Sequence, residues 1–146
     1  MLRDFTALDL ETTGLNPKTD KIIEIGAVRI RDGKEAARWE SLVNPGCQIS
    51  NFTEGLTGIR NEELMSAPVI EEVLPALMDF LMDDVLVGHQ ILFDYSFLKK
   101  AAERFDGREP FFFVWEQALK AGKIPSGSPE GEILREMGRT LGASDR

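Results

Sequence analysis

Histidine and cysteine are all but missing from this chain, and cations are in short supply. The one cysteine, Cys47, can form no internal disulfide, which sets aside the cross-linked secreted scaffolds and fits a cytoplasmic protein. His89 is the only imidazole. Lys and Arg number 17 against 25 Asp and Glu, a net charge of −8, which argues against a broad basic surface of the kind that coats duplex DNA. Nucleic acid stays open as a partner, because a site that holds divalent cations needs local negative charge, which the metals then reverse. No apolar run approaches the roughly 20 residues that span a bilayer, so no membrane partner is expected. The first residues, MLRDFTALDLETTG, lack the basic region followed by an apolar one that marks a secretory signal.

What is present reads as one globular domain over residues 1–146. A chain of 146 residues, 42% hydrophobic, has enough apolar material for a core, and a domain of this size buries roughly 68–70% of the surface its unfolded chain exposes. Residues 5–10 read as a strand. The Ile- and Val-rich KIIEIGAVRIR, residues 21–31, reads as a second. Asp32-Gly33 is a tight-turn signal that returns the chain along residues 34–43 as a third, antiparallel strand. Short helical turns are expected around the loop Leu56-Thr57-Gly58-Ile59. Apolar residues at helical spacing over 68–82 mark a helix. A short buried strand at 85–87 stops at Gly88, a helix follows over 93–104, and 111–114 reads as another strand. Residues 115–121 and 130–141 look helical. Three meandering strands followed by alternating strands and helices make an α/β domain with a mixed sheet.

Two short stretches stand out against that background. In FTALDLETTG, Asp9 and Glu11 lie at positions i and i+2 of the first strand, so both carboxylates project from one face while Leu8 and Leu10 take the other. Two carboxylates crowded at a strand end repel and cost desolvation energy, and a hard cation such as Mg²⁺ or Mn²⁺ removes both costs. A charged strand end in solvent, or two partners for Lys or Arg, would give the same pattern. In LVGHQILFDYSFL, a buried strand ends at Gly88 and Asp94 opens a helix, where an acid is also favoured simply as an N-cap or first-turn residue. His89 reads equally as a partly buried histidine with a satisfied hydrogen bond.

Taken together, Asp-x-Glu-Thr-Thr-Gly and, about eighty residues on, Gly-His-x4-Asp-x-x-Phe-Leu resemble the DnaQ-like 3′–5′ exonucleases, the family of bacterial DNA polymerase III proofreading domains, which includes the epsilon subunit and the exonuclease insert of PolC. IIEIGAVRI is similar to that family's second strand, and LVNPGCQIS followed by LTGIRNEELMSAP to its nucleotide-contacting loop and next helix. The resemblance implies a ribonuclease H-like fold with a mixed sheet of about five strands. It further implies two-metal hydrolysis at single-stranded nucleic acid 3′ ends, and a DNA polymerase subunit as partner. Carried over by motif, Asp9, Glu11 and Asp94 are catalytic metal ligands for two ions, Mg²⁺ or Mn²⁺. On the same resemblance, Thr12, Thr13, Leu56, Thr57, His89 and Phe93 would contact the terminal nucleotide.

The resemblance runs from about Phe5 to Ala102 and departs from the family's pattern after about residue 110. The family's general-base histidine and fourth aspartate form His-x4-Asp on a late helix, and none follows His89 here. Val114 to Leu119 stands where the family has Asp-Thr-Leu, and Gln90 replaces the asparagine usual after the second-motif histidine. Three explanations fit: a truncated enzyme, a degenerate homologue that binds nucleic acid or protein without cutting, or a site completed by another subunit. The incomplete pattern implies impaired hydrolysis by the chain as given. Asp145 reads as a solvated terminal acid.

Overall fold

Why the chain forms a sheet first is visible in β1, Phe5–Thr12, and β2, Ile22–Arg31. Both are rich in β-branched and aliphatic residues, and most of β1 is buried on both of its faces, as a central strand requires. The computed structural model describes residues 3–82 and 84–106. Asp32 and Gly33, both at positive φ, make the turn into β3, Lys34–Leu42. The sheet order is β3-β2-β1-β4, with β4, Leu86–Val87, parallel to β1 and the other pairs antiparallel. β3 closes one edge and is largely exposed.

Between β3 and β4 lie α1, Asn51–Thr57, α2, Asn61–Met65, and α3, Ile70–Leu81. α4, Ile91–Asp106, follows β4. α3 and α4 cover one face of the sheet, where Leu8, Leu10, Ile25 and Ala27 meet Leu77, Leu81, Tyr95 and Leu98. On the other face Phe5, Ala7, Val28, Ile30 and Val87 form a second cluster. A third joins Ile23 to Ile49, Ile59 and Leu64, seating α1 and α2 against the start of β2.

β4 is pinned in register by more than its two residues. Asp84 accepts from Arg31 Nη2 at 2.8 Å and from Thr6 Oγ1 at 2.7 Å, while the Thr6 amide donates to the Val85 carbonyl at 2.9 Å. A charge-assisted bond to a nearly buried carboxylate is stronger than its exposed counterpart, and this one fixes where the chain turns into α4.

The domain is α/β with a mixed sheet, as the sequence implies. Four strands lie among the described residues; the strand expected at 111–114 and the helices expected at 115–121 and 130–141 lie outside them. Two boundaries shift. β1 runs on through Glu11 and Thr12, because β2 keeps pairing with it past a bulge between those residues. α4 begins at Ile91, two residues before the expected start, so Asp94 sits at the end of its first turn rather than at its opening.

Candidate active site

The end of β1 carries the acids. Asp9 lies opposite Gly26, which presents no side chain, and Glu11 lies opposite Glu24. Partners in an antiparallel pair share a face, so Asp9, Glu11 and Glu24 line one side of the sheet while Leu8 and Leu10 are buried on the other. Glu11 is 6% exposed and Asp9 half-buried; both interact with other groups of the chain. Carboxylates in such a position are costly to charge unless donors or cations meet them.

Asp94 arrives from the neighbouring strand. Thr6 and Ala7 of β1 pair with Leu86 and Val87, which places Gly88 beside Leu8. A Cβ at Gly88 would stand 2.9 Å from the Leu8 carbonyl oxygen, so only glycine lets the chain leave the sheet this close to the acidic end of β1. His89 and Gln90 turn outward, exposed, and the Asp94 amide makes an early helical bond to the Gln90 carbonyl at 3.0 Å. Asp94 is 1% exposed, its Oδ1 fully buried, and it keeps interactions within the chain. A solvated first-turn acid would not be buried in this way. Among the described residues, no group of three or more His, Cys, Asp and Glu side chains is placed to hold a metal ion, so Asp9, Glu11 and Asp94 are not gathered into one such cluster.

The residues expected around a terminal nucleotide divide by what their side chains already do. Thr12 Oγ1 donates to the Gly14 carbonyl at 2.7 Å. Thr13 Oγ1 donates to Asp20 Oδ1 at 3.2 Å and accepts from the Lys21 amide at 2.9 Å, clasping the loop between β1 and β2. Thr57 is buried, donating to the Thr53 carbonyl at 2.8 Å and accepting from the Ile59 amide at 3.1 Å. These three hydroxyls hold the backbone in shape. Leu56, the neighbour of Thr57, is 58% exposed, and the Phe93 ring is half-buried, tilted against Phe97 at 5.0 Å between centroids. Leu56 and Thr57 end α1 rather than forming a loop, and Gly58 follows at φ 77° as the left-handed cap.

Two residues escaped the sequence reading. Asp20 organises the loop after β1 through Thr13 and the Asn16 amide, and a Cβ on Gly14 would collide with its carboxylate. Glu24 joins the acidic face through strand register. The acid within the apolar IIEIGAV was a visible signal, but its partner across the pair was not.

The profile of the RNase T family, described as exonuclease, matches residues 6–121. The chain is 46% identical over 132 residues to the PolC-type DNA polymerase III of Thermotoga petrophila, covering 88% of this chain and 10% of that protein. It is 36% identical over 105 residues to the DNA polymerase III subunit epsilon of Aquifex aeolicus, covering 72% of this chain and 52% of that protein. The chain thus spans about a tenth of one relative and about half of the other. Its fold is that of E. coli exonuclease I, seen in a zinc-bound complex with single-stranded DNA: TM-score 0.64 at 18% identity, covering 80% of this chain and 27% of that one.

Proposed function

The chain belongs to the RNase T exonuclease family, and on that premise we propose that it takes the 3′ end of a single strand and hydrolyses the terminal phosphodiester with divalent cations. It is an exonuclease domain related to the proofreading exonucleases of DNA polymerase III. The observation that carries the proposal is the pair Asp9 and Glu11 on one face at the end of a strand otherwise built as core.

The donor set fits the metals in kind. Carboxylate oxygens suit Mg²⁺ and Mn²⁺, and Asp9 and Glu11, with Asp94 from α4, are the groups that would hold them, substrate phosphate oxygens completing the set. Such a cation, when bound, neutralises phosphate charge and makes water a better nucleophile. The chain's own part is positional. The Thr13–Asp20 clasp fixes the loop beside the acids, and α1 leaves Leu56 exposed, where it would meet the terminal nucleotide.

His89 is exposed in the turn before α4, and no His-x4-Asp follows it in the sequence. A general base contributes about 10²–10⁴-fold to rate, so hydrolysis by this chain alone is slow. A second reading is a domain that binds ends without cutting them. A polymerase subunit in the cytoplasm is the partner we propose for either. The test is 3′ digestion of labelled single-stranded DNA and RNA with Mn²⁺ at neutral pH, beside Asp9→Ala. Slow digestion abolished by Asp9→Ala supports the enzyme, and binding with no digestion supports the second reading. Digestion that survives Asp9→Ala overturns the metal assignment.

A further inference from the structure

We propose that Phe52 is a stacking platform for the base next to the terminal one on a single-stranded 3′ end. This rests on the reading that the chain takes such ends. Phe52 is 77% exposed, a large apolar ring facing water from a well-fixed helix. On α1 it lies one turn from Leu56, itself 58% exposed, while Thr53 and Thr57 turn inward at 5% and 7%. The helix thus shows a small apolar face beside the residue assigned to the terminal nucleotide.

The platform is rigid. Ser50 caps α1 by accepting from the Thr53 amide at 3.1 Å, and the Gly58 amide closes its other end on the Glu54 carbonyl at 2.9 Å. Asn61 grips both backbone groups of Ile49, at 2.8 and 3.1 Å. Ile49 packs on Ile23, which lies in β2 between the partners of Glu11 and Thr12. The helix that carries the exposed ring therefore starts near the acidic end of β1. A helical turn advances about 5.4 Å, a step that suits the next nucleotide of an extended strand.

Charge selects the occupant. A chain of net charge −8 has little to offer a phosphate backbone, whereas a base offers an uncharged π-face to any aromatic ring, whatever its identity. Stacking lets an acidic protein hold single strands with few phosphate contacts.

The test uses the whole chain with a 5′-labelled oligothymidylate in Ca²⁺, read by fluorescence anisotropy, and the same oligonucleotide made abasic at the nucleotide next to last. Phe52→Ala weakens binding of the intact strand by about 5- to 10-fold, near the low end for loss of one stacked base. Phe52→Trp restores it. The abasic strand binds wild type as weakly as the intact strand binds Phe52→Ala, and Phe52→Ala costs it nothing further. An equal penalty on both strands, or none on either, overturns the stacking role. A wild-type chain that binds a 3′-phosphate-blocked strand as well as a free end fails the reading beneath it, and shows this without any variant. Thermal melting confirms that both variants fold.

Discussion

The two halves of β1 obey the same backbone geometry and opposite chemistry. Phe5, Thr6, Ala7 and Leu8 are each at most 1% exposed and feed clusters on both faces of the sheet. Asp9 and Glu11 replace apolar side chains on one of those faces, while Leu10 continues the other. The strand stays a strand because its hydrogen-bonded ladder with β2 persists across the change. The first half holds the sheet together. The second gives the end of a core strand to charge, which interacts within the chain and which a divalent cation would further neutralise.

The sharpest way to break that comparison is to exchange costs across it. Leu8→Ala removes a side chain 1% exposed between the sheet and two helices and should destabilise the fold by about 2–5 kcal/mol. Asp9→Asn, at a half-buried side chain that interacts within the chain, should cost less, about 0.5–1.5 kcal/mol, while sharply weakening Mn²⁺ binding in calorimetry and whatever 3′ hydrolysis the chain performs. If Asp9→Asn unfolds the protein as Leu8→Ala does, the acid is a structural member of the sheet and the contrast collapses.

A smaller effect tests how the second half is assembled. Gly88→Ala places a Cβ 2.9 Å from the Leu8 carbonyl and 3.3 Å from Ile91 Cδ1. The Ile91 methyl can shift but the Leu8 carbonyl is backbone and cannot yield freely, so a loss of about 1–3 kcal/mol is expected in urea unfolding, together with weaker Mn²⁺ binding as the start of α4 moves. An unchanged stability would show that the exit from β4 tolerates displacement, and that Asp94 is not placed by this close approach.

How much of this was legible in the sequence follows from which contacts are local. Strand alternation put Asp9 and Glu11 on one face without any knowledge of tertiary structure, and the helical spacing of Val73, Leu77 and Leu81 announced the buried side of α3. The end of β1 was misjudged because its last residues are held by pairing with β2, not by their own propensity. The start of α4 was misjudged because Gly88 and β4, rather than a capping residue, decide where the chain leaves the sheet. Thr13 was assigned to the nucleotide by resemblance, and nothing local in the sequence announced that its hydroxyl is engaged by Asp20 and Lys21 across the loop. The fold-giving half of β1 was readable from composition, and the acids of the other half from spacing. The register that opposes Glu11 to Glu24 was not, since one slipped residue would have changed every partner.

That register supports the finest test. Glu11 and Glu24 face each other across an antiparallel pair, Glu11 buried and Glu24 half-buried. Like charges directly opposite are destabilising by about 0.2–1 kcal/mol. In metal-free buffer Glu24→Gln should therefore stabilise the fold by that amount, which for a domain of this size is at most a few degrees in Tm. Saturating Mn²⁺ should shrink the gain, because a cation held at Glu11 relieves in wild type the same repulsion that the substitution removes. Glu11→Gln should lose the response to Mn²⁺. The measurement is a set of four thermal melts, wild type and Glu24→Gln with and without Mn²⁺, with Glu11→Gln as the control. A Glu24→Gln variant less stable than wild type in metal-free buffer would mean that donors within the protein already stabilise Glu24 by more than Glu11 opposes it. The acidic half of β1 would then be balanced internally, and its need for a cation would rest on Asp9 and Asp94 alone.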